Sequence, residues 1–139
     1  MSKYDVLKLD NQLSFPLYAA SREIIRKYYP FLSEINLTYT QYAVMAVLWE
    51  YRRISAKDLG VKLHLDSGTL TPLLKALEER DLVKRERFVE DERVLMLELT
   101  PDGEELREQA VGIPVEVMSR IPLDPEETAE LKRLLYKIL

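Results

Sequence analysis

Ser67, Thr69, Thr71 and Lys75 stand outward on one amphipathic segment, and Arg85 and Arg87 follow on the next extended one. Hydroxyls, an ammonium and guanidinium groups at these spacings suit hydrogen bonds to base edges and phosphate oxygens of a duplex. Their segment opens at Asp66, a helix N-cap residue, and runs to about Arg80. Leu70, Leu73, Leu74 and Leu77 fall on one stripe at helical spacing, so that face packs inward. The opposite face carries Gly68, Pro72, Lys75, Ala76 and Glu79. Pro72 costs a backbone hydrogen bond there, and local rules tend to be broken where function needs it. Gly68 and Pro72 keep the outer face low, a shape that lies close in a major groove. The pattern predicts a recognition helix.

The elements around it must hold that helix in place. Ser55 with Asp58 three residues on predicts a short capped helix through Leu63. Leu82 to Phe88 and Val94 to Leu99 read as strands, with Leu95, Leu97 and Leu99 alternating onto one face. Between them Val89 to Arg93 is mostly polar and suits a turn. Arg53-Ile54 adds a brief third strand. Short helix, longer helix and basic ribbon, in that order, predict a winged helix-turn-helix whose chemistry is DNA reading. The competing reading is a winged helix used only for protein contacts.

Charge alone argues against nucleic acid, since the 139 residues carry a formal net charge of −4. Its distribution softens the objection. From Arg52 to Arg93 ten Lys/Arg face nine Asp/Glu, a net +1, so the acidity lies in the flanks. Such a head gains modest counterion-release affinity per subunit and benefits from binding as a pair. The length fits one domain with enough apolar content for a core. No apolar run spans a membrane and no signal peptide is visible, so a cytoplasmic protein without membrane attachment is expected. The chain has no cysteine and one histidine, His64, which excludes disulfides, thiolate metal sites and thiol redox chemistry, and predicts no metal and no cofactor.

The flanks predict helices for pairing two chains. One runs from roughly Gln12 to Tyr29, with Pro16 in its first turn, Ser14 near its N-terminus, and Pro30 ending or kinking it. Thr38 and Gln41 form a capping box for an apolar helix through Trp49, a core residue. Thr100-Pro101-Asp102 starts a helix toward Val111, interrupted at Ile113-Pro114. Asp124-Pro125 starts the last, with Leu131, Leu134, Leu135, Ile138 and Leu139 on one stripe that lacks a partner within a single head. A second copy is the economical partner. The fold class expected is mainly α with a small β-hairpin: one domain over 1–139, a reading lobe at 38–100, and a helical dimerisation region at 1–37 and 101–139.

The run from Leu65 to Lys75 resembles the recognition-helix signature of MarR-family repressors, in particular their organic-hydroperoxide-sensing OhrR branch. Asp91-Glu92-Arg93, Leu99 to Gly103 and the segment Asn11 to Tyr18 resemble the same branch, and the match covers nearly the whole chain. The resemblance implies a homodimer on a pseudo-palindromic double-stranded operator, with wings reaching minor grooves through Arg93 and Asp91 orienting it. It also implies a sensor site at Ser14, where the branch has its reactive cysteine, with Tyr28, Tyr39 and Tyr18 around it across the subunit interface. Read without the resemblance, Ser14 is a helix-cap hydroxyl, the tyrosines are packing residues, and His64 is a surface or capping residue.

Sulfur belongs at such a site because a helix N-terminus lowers a thiol's pKa and thiolate attacks peroxide oxygen. Oxidation gives a sulfenic acid that an external low-molecular-weight thiol then caps. A serine hydroxyl is similar in shape but stays protonated and does not follow this ladder. Two histories fit Ser14: an engineered Cys-to-Ser variant that mimics the reduced state, favoured by the intact surroundings, or a natural paralogue with another ligand. The function expected is a DNA-binding transcriptional repressor resembling organic-hydroperoxide regulators, with organic hydroperoxide and a small thiol as partners of a cysteine form. The alternative is a MarR-type repressor that answers a small phenolic ligand. An enzyme is the contrasting class. A hydrolytic Ser14 needs a base, and the lone histidine sits in the reading head.

Overall fold

The structure, a computed structural model, describes residues 1–87 and 94–139. The chain forms two compact units, Tyr28–Ile113 and Met1–Lys27 with Pro114–Leu139. The first extends beyond the 38–100 lobe on both sides.

The elements are α1 (Ser14–Glu34), α2 (Tyr39–Tyr51), β1 (Arg53–Ser55), α3 (Ala56–Leu63), α4 (Ser67–Glu79), β2 (Val83–Arg87), β3 (Leu95–Leu99), α5 (Pro101–Ala110), α6 (Ile113–Met118) and α7 (Pro125–Ile138). The strands make an antiparallel sheet in the order β1-β3-β2, with Leu97 of β3 opposite both Ile54 and Arg85. The brief strand at Arg53-Ile54 therefore exists and completes a three-stranded winged-helix sheet. Val44, Met45 and Leu48 of α2, Leu59 of α3, Leu70, Leu74 and Leu77 of α4, and Leu97 form the core of this unit. Each buried side chain contributes about 1.5–3 kcal/mol of apolar transfer. Leu73, the fourth residue of the α4 stripe, is only half-buried.

Helix starts follow the caps. Thr38 and Gln41 exchange side-chain and backbone hydrogen bonds in a full capping box, as do Asp124 and Glu127. The hydroxyls of Ser55 and Thr100 accept from the backbone N–H of Asp58 and Gly103, both at 3.0 Å. The ends of α1, α3 and α4 are unusual in using no glycine. Asn36, His64 and Asp81 take φ of 53°, 55° and 59°, and the following Leu37, Leu65 and Leu82 donate back to the carbonyls of Leu32, Gly60 and Leu77 at 3.0 Å each. These six-to-one bonds satisfy orphan carbonyls, and two of the three leucines, Leu37 and Leu82, are buried in the core. Asn and Asp tolerate the left-handed region better than most residues, and His64 acts as the capping residue of α3.

Two glycines are demanded by close packing. A Cβ on Gly103 would meet the carbonyl oxygen of Leu82 at 2.3 Å, and one on Gly60 that of Leu65 at 2.9 Å. Two sequence expectations need correction. Pro30 does not end the first helix, because α1 continues four residues past it to Glu34. Leu32, Ile35 and Leu37 are buried beyond it, and the Arg80 guanidinium donates to the carbonyls of Ile35 and Asn36, so tertiary contacts outweigh the missing N–H. Trp49 is half-buried, not central, and its indole N–H donates to the carbonyl of Gly103 at 2.8 Å. That bond explains its place at the edge: a buried indole N–H needs an acceptor.

The second unit holds two short 3₁₀ turns, Lys3–Leu7 and Leu9–Asn11, with the start of α1, most of α6 and all of α7. Leu131, Leu134, Ile138 and Leu139 of the C-terminal stripe are 40%, 44%, 62% and 67% exposed, so within one chain this stripe is largely uncovered. Among the described residues no helix is long and apolar enough to cross a membrane.

Candidate nucleic-acid interface

Asp66 caps α4 by accepting from the Thr69 backbone N–H at 2.8 Å, and that bond holds its carboxyl below the usual range. The capped helix presents Ser67, Gly68, Thr69, Thr71, Pro72 and Lys75 to solvent, while Leu70, Leu74 and Leu77 anchor the opposite side. The Thr71 hydroxyl folds back on the Ser67 carbonyl at 2.7 Å. The outer face is therefore polar and low.

A concavity of about 650 Å³ lies between α3, the first turns of α4 and β2. Its walls bring together Ser67, Thr71, Arg85 and Arg87 from the residues singled out in the sequence, joined by Lys57 and His64. Lys57 was not foreseen as part of this surface. Its signal was available, since it stands next after the first residue of a capped helix that turns directly into α4.

Arg85 is engaged within the unit. Its Nε and Nη2 donate to Oε1 of Glu78 at 3.1 and 2.8 Å, and its backbone N–H to Oε2 at 3.3 Å. The pair ties β2 to the last turn of α4. It holds the Glu78 carboxyl below its ordinary range, through the hydrogen bond first. Glu78 was missed because its partner lies seven residues away across the tight turn at Asp81. Asp91 and Arg93, expected at the wing tip, lie outside the described residues.

The residues expected around the sensor position fall into the two units. Ser14 opens α1 and is exposed; Tyr18, one turn on, accepts a hydrogen bond from Arg22 at 3.3 Å, and that guanidinium stands 5.4 Å from its ring centre. In the other unit Tyr28 and Tyr39 meet edge to face with ring centres 5.1 Å apart. Tyr42, not foreseen, joins them at 5.5 and 6.0 Å and reaches Trp49 at 6.3 Å. Burial, then the neighbouring phenols, pushes the Tyr42 hydroxyl up to about 12, and burial with Tyr39 raises Tyr28. Among the described residues no group of three or more His, Cys, Asp or Glu side chains is placed to hold a metal.

A family model described as transcriptional regulator SarA/Rot matches residues 26–110. The organic hydroperoxide resistance transcriptional regulator of Bacillus subtilis (strain 168) is 45% identical over 138 residues, 99% of this chain and 94% of its own. The chain belongs to the MarR family, in its OhrR-like branch. The HTH-type transcriptional regulator SarZ of Staphylococcus aureus (strain USA300) is 41% identical over 123 residues, covering 88% of this chain and 83% of its own. Among solved structures, reduced AbfR bound to DNA superposes with a TM-score of 0.82 at 35% identity, covering 99% of this chain and 94% of that one; AbfR comes from Staphylococcus epidermidis. The winged helix-turn-helix expected from the order of caps, helices and strands is thus the architecture of this OhrR-like chain.

Proposed function

We propose that two copies of this OhrR-like chain form a cytoplasmic transcriptional repressor that binds a pseudo-palindromic DNA operator. The observation that carries this reading is the capped α4, anchored by three buried leucines and presenting Ser67, Thr69, Thr71 and Lys75 on a low exposed face. It is supported by AbfR, a relative solved on DNA in its reduced and overoxidised forms. Each α4 enters a major groove, Arg87 and Arg85 face phosphate, and Asp66 fixes the first turn. Arg93 reaches the minor groove with Asp91 orienting it. Regulation, not catalysis, is the function.

Pairing uses the terminal helices, in which Leu131, Leu134, Ile138 and Leu139 are apolar and exposed within one chain. Ser14 takes the position of the branch's reactive cysteine, with Tyr28, Tyr39 and Tyr18 as its expected neighbours across the dimer. With a hydroxyl there, the chain behaves as a reduced repressor that organic hydroperoxide does not release. The test is footprinting on a duplex selected by the protein from random sequence. Two protected half-sites one helical turn or its multiples apart support the reading, and equal affinity for selected and random duplex at matched salt sinks it.

A further inference from the structure

We infer that Gly68 is the point of closest main-chain approach to the DNA duplex, and that the absence of its side chain sets operator affinity. The inference rests on the DNA-binding reading above and deepens it at a residue outside the contacts already assigned. Glycine inside a helix needs a reason, because its flexible backbone makes it a poorer helix residue than alanine. Gly103 and Gly60 have theirs in the fold, where an added Cβ would strike backbone oxygens at 2.3 and 2.9 Å.

Gly68 has no such reason. It is the second residue of α4, it is exposed, and no glycine among the described residues adopts positive φ. A Cβ there would meet only Asp66 Oδ1, at an ordinary 3.5 Å. The fold has room for alanine at 68 and would gain helix propensity from it.

The neighbours share the same low profile. Thr71 turns its hydroxyl back onto the Ser67 carbonyl, and Pro72, exposed one turn beyond Gly68, places a compact ring with no N–H on this face. A helix that enters a groove gains contacts from every side chain around its point of closest approach. A methyl group at that point lifts the whole face outward and lengthens hydrogen bonds from Ser67 and Thr69 together, and such bonds weaken steeply with distance and angle. The same methyl group carries no charge, so it leaves the count of neutralised phosphates unchanged.

The experiment compares the full-length protein and Gly68→Ala on the duplex that the unmodified protein enriches from a random-sequence pool, and on a scrambled duplex of equal length. Fluorescence anisotropy over a salt series and thermal melting by circular dichroism are the readouts. Expected are a melting temperature equal to or above that of the unmodified protein, at least a tenfold loss of affinity for the selected duplex, a smaller loss on the scrambled one, and an unchanged salt slope. A loss under tenfold on the selected duplex overturns the inference, and so does a lowered melting temperature, which would place the reason for glycine in the fold. Failure of the unmodified protein to enrich any duplex would instead strike down the DNA-binding reading itself, and the inference with it.

Discussion

Arg85→Ala separates the phosphate contact expected from the sequence from the ion pair with Glu78 that the structure shows. If Arg85 serves chiefly as a phosphate contact, its removal leaves the free protein untouched and flattens the salt dependence of binding. Full neutralisation of one phosphate per subunit contributes about 0.9 to the slope of log K against log salt, hence about 1.8 for a dimer. The structure instead gives Arg85 to Glu78 through two guanidinium nitrogens at 2.8 and 3.1 Å. The pair is 28% and 38% exposed, so solvent screening holds its worth to about 1 kcal/mol. Its loss should lower the melting temperature by about 3–5 °C in a chain of this size. The Glu78 carboxylate offsets the charge that Arg85 offers to DNA, so the salt slope should flatten by less than about half the full value. Lys75→Ala should flatten it by the full amount and leave the melting temperature unchanged. The converse variant, Glu78→Gln, should steepen the slope. Anisotropy titrations from low to moderate salt, paired with melting curves, measure all three. An Arg85→Ala protein with unchanged stability and a slope flattened by about 1.8 would assign Arg85 to DNA and not to Glu78.

Two further outcomes follow from the packing. Gly103→Ala forces a Cβ onto the Leu82 carbonyl at 2.3 Å and the Leu99 Cδ1 at 2.7 Å, so urea unfolding should show a loss of about 2–4 kcal/mol, and a loss below 1 would contradict the close contact. The Tyr42 hydroxyl is held up at about 12, above the ordinary value of 10.0, so the folded state keeps its proton more tightly than the unfolded chain does. Its contribution is fully present below pH 10 and is lost as pH rises toward 12. Tyr42→Phe should therefore give a shallower alkaline fall in stability; identical alkaline limbs would contradict it.

Much of this was legible because it is local. Thr38, Ser55, Asp66, Thr100 and Asp124 each cap a helix through hydrogen bonds to backbone N–H groups three residues on, and such bonds are written in the spacing itself. The alternation around Leu97 marked β3 in the same way. Features that depend on distant partners were not legible. Arg80 holds the carbonyls of Ile35 and Asn36 just past the end of α1, and Trp49 donates to the Gly103 carbonyl, 54 residues away. Helix ends at Asn36, His64 and Asp81 lack the glycine that usually announces them. At the candidate site the outward hydroxyls of α4 could be read from periodicity, but not the capture of Arg85 by Glu78 or the joining of Tyr42 to Tyr28 and Tyr39. These follow from how the helices cross, not from the spacing of residues along them.

As proposed, this chain is an operator-binding repressor with a hydroxyl where its branch carries the reactive sulfur. Operator affinity should be measured for this chain and for Ser14→Cys, before and after cumene hydroperoxide with a low-molecular-weight thiol. Both should bind equally before treatment, the Ser14 chain should be unchanged after it, and the cysteine form should lose at least tenfold in affinity as its sulfenic acid is capped. Loss of binding by the Ser14 chain itself, or full retention by the cysteine form with its thiol oxidised, would contradict it.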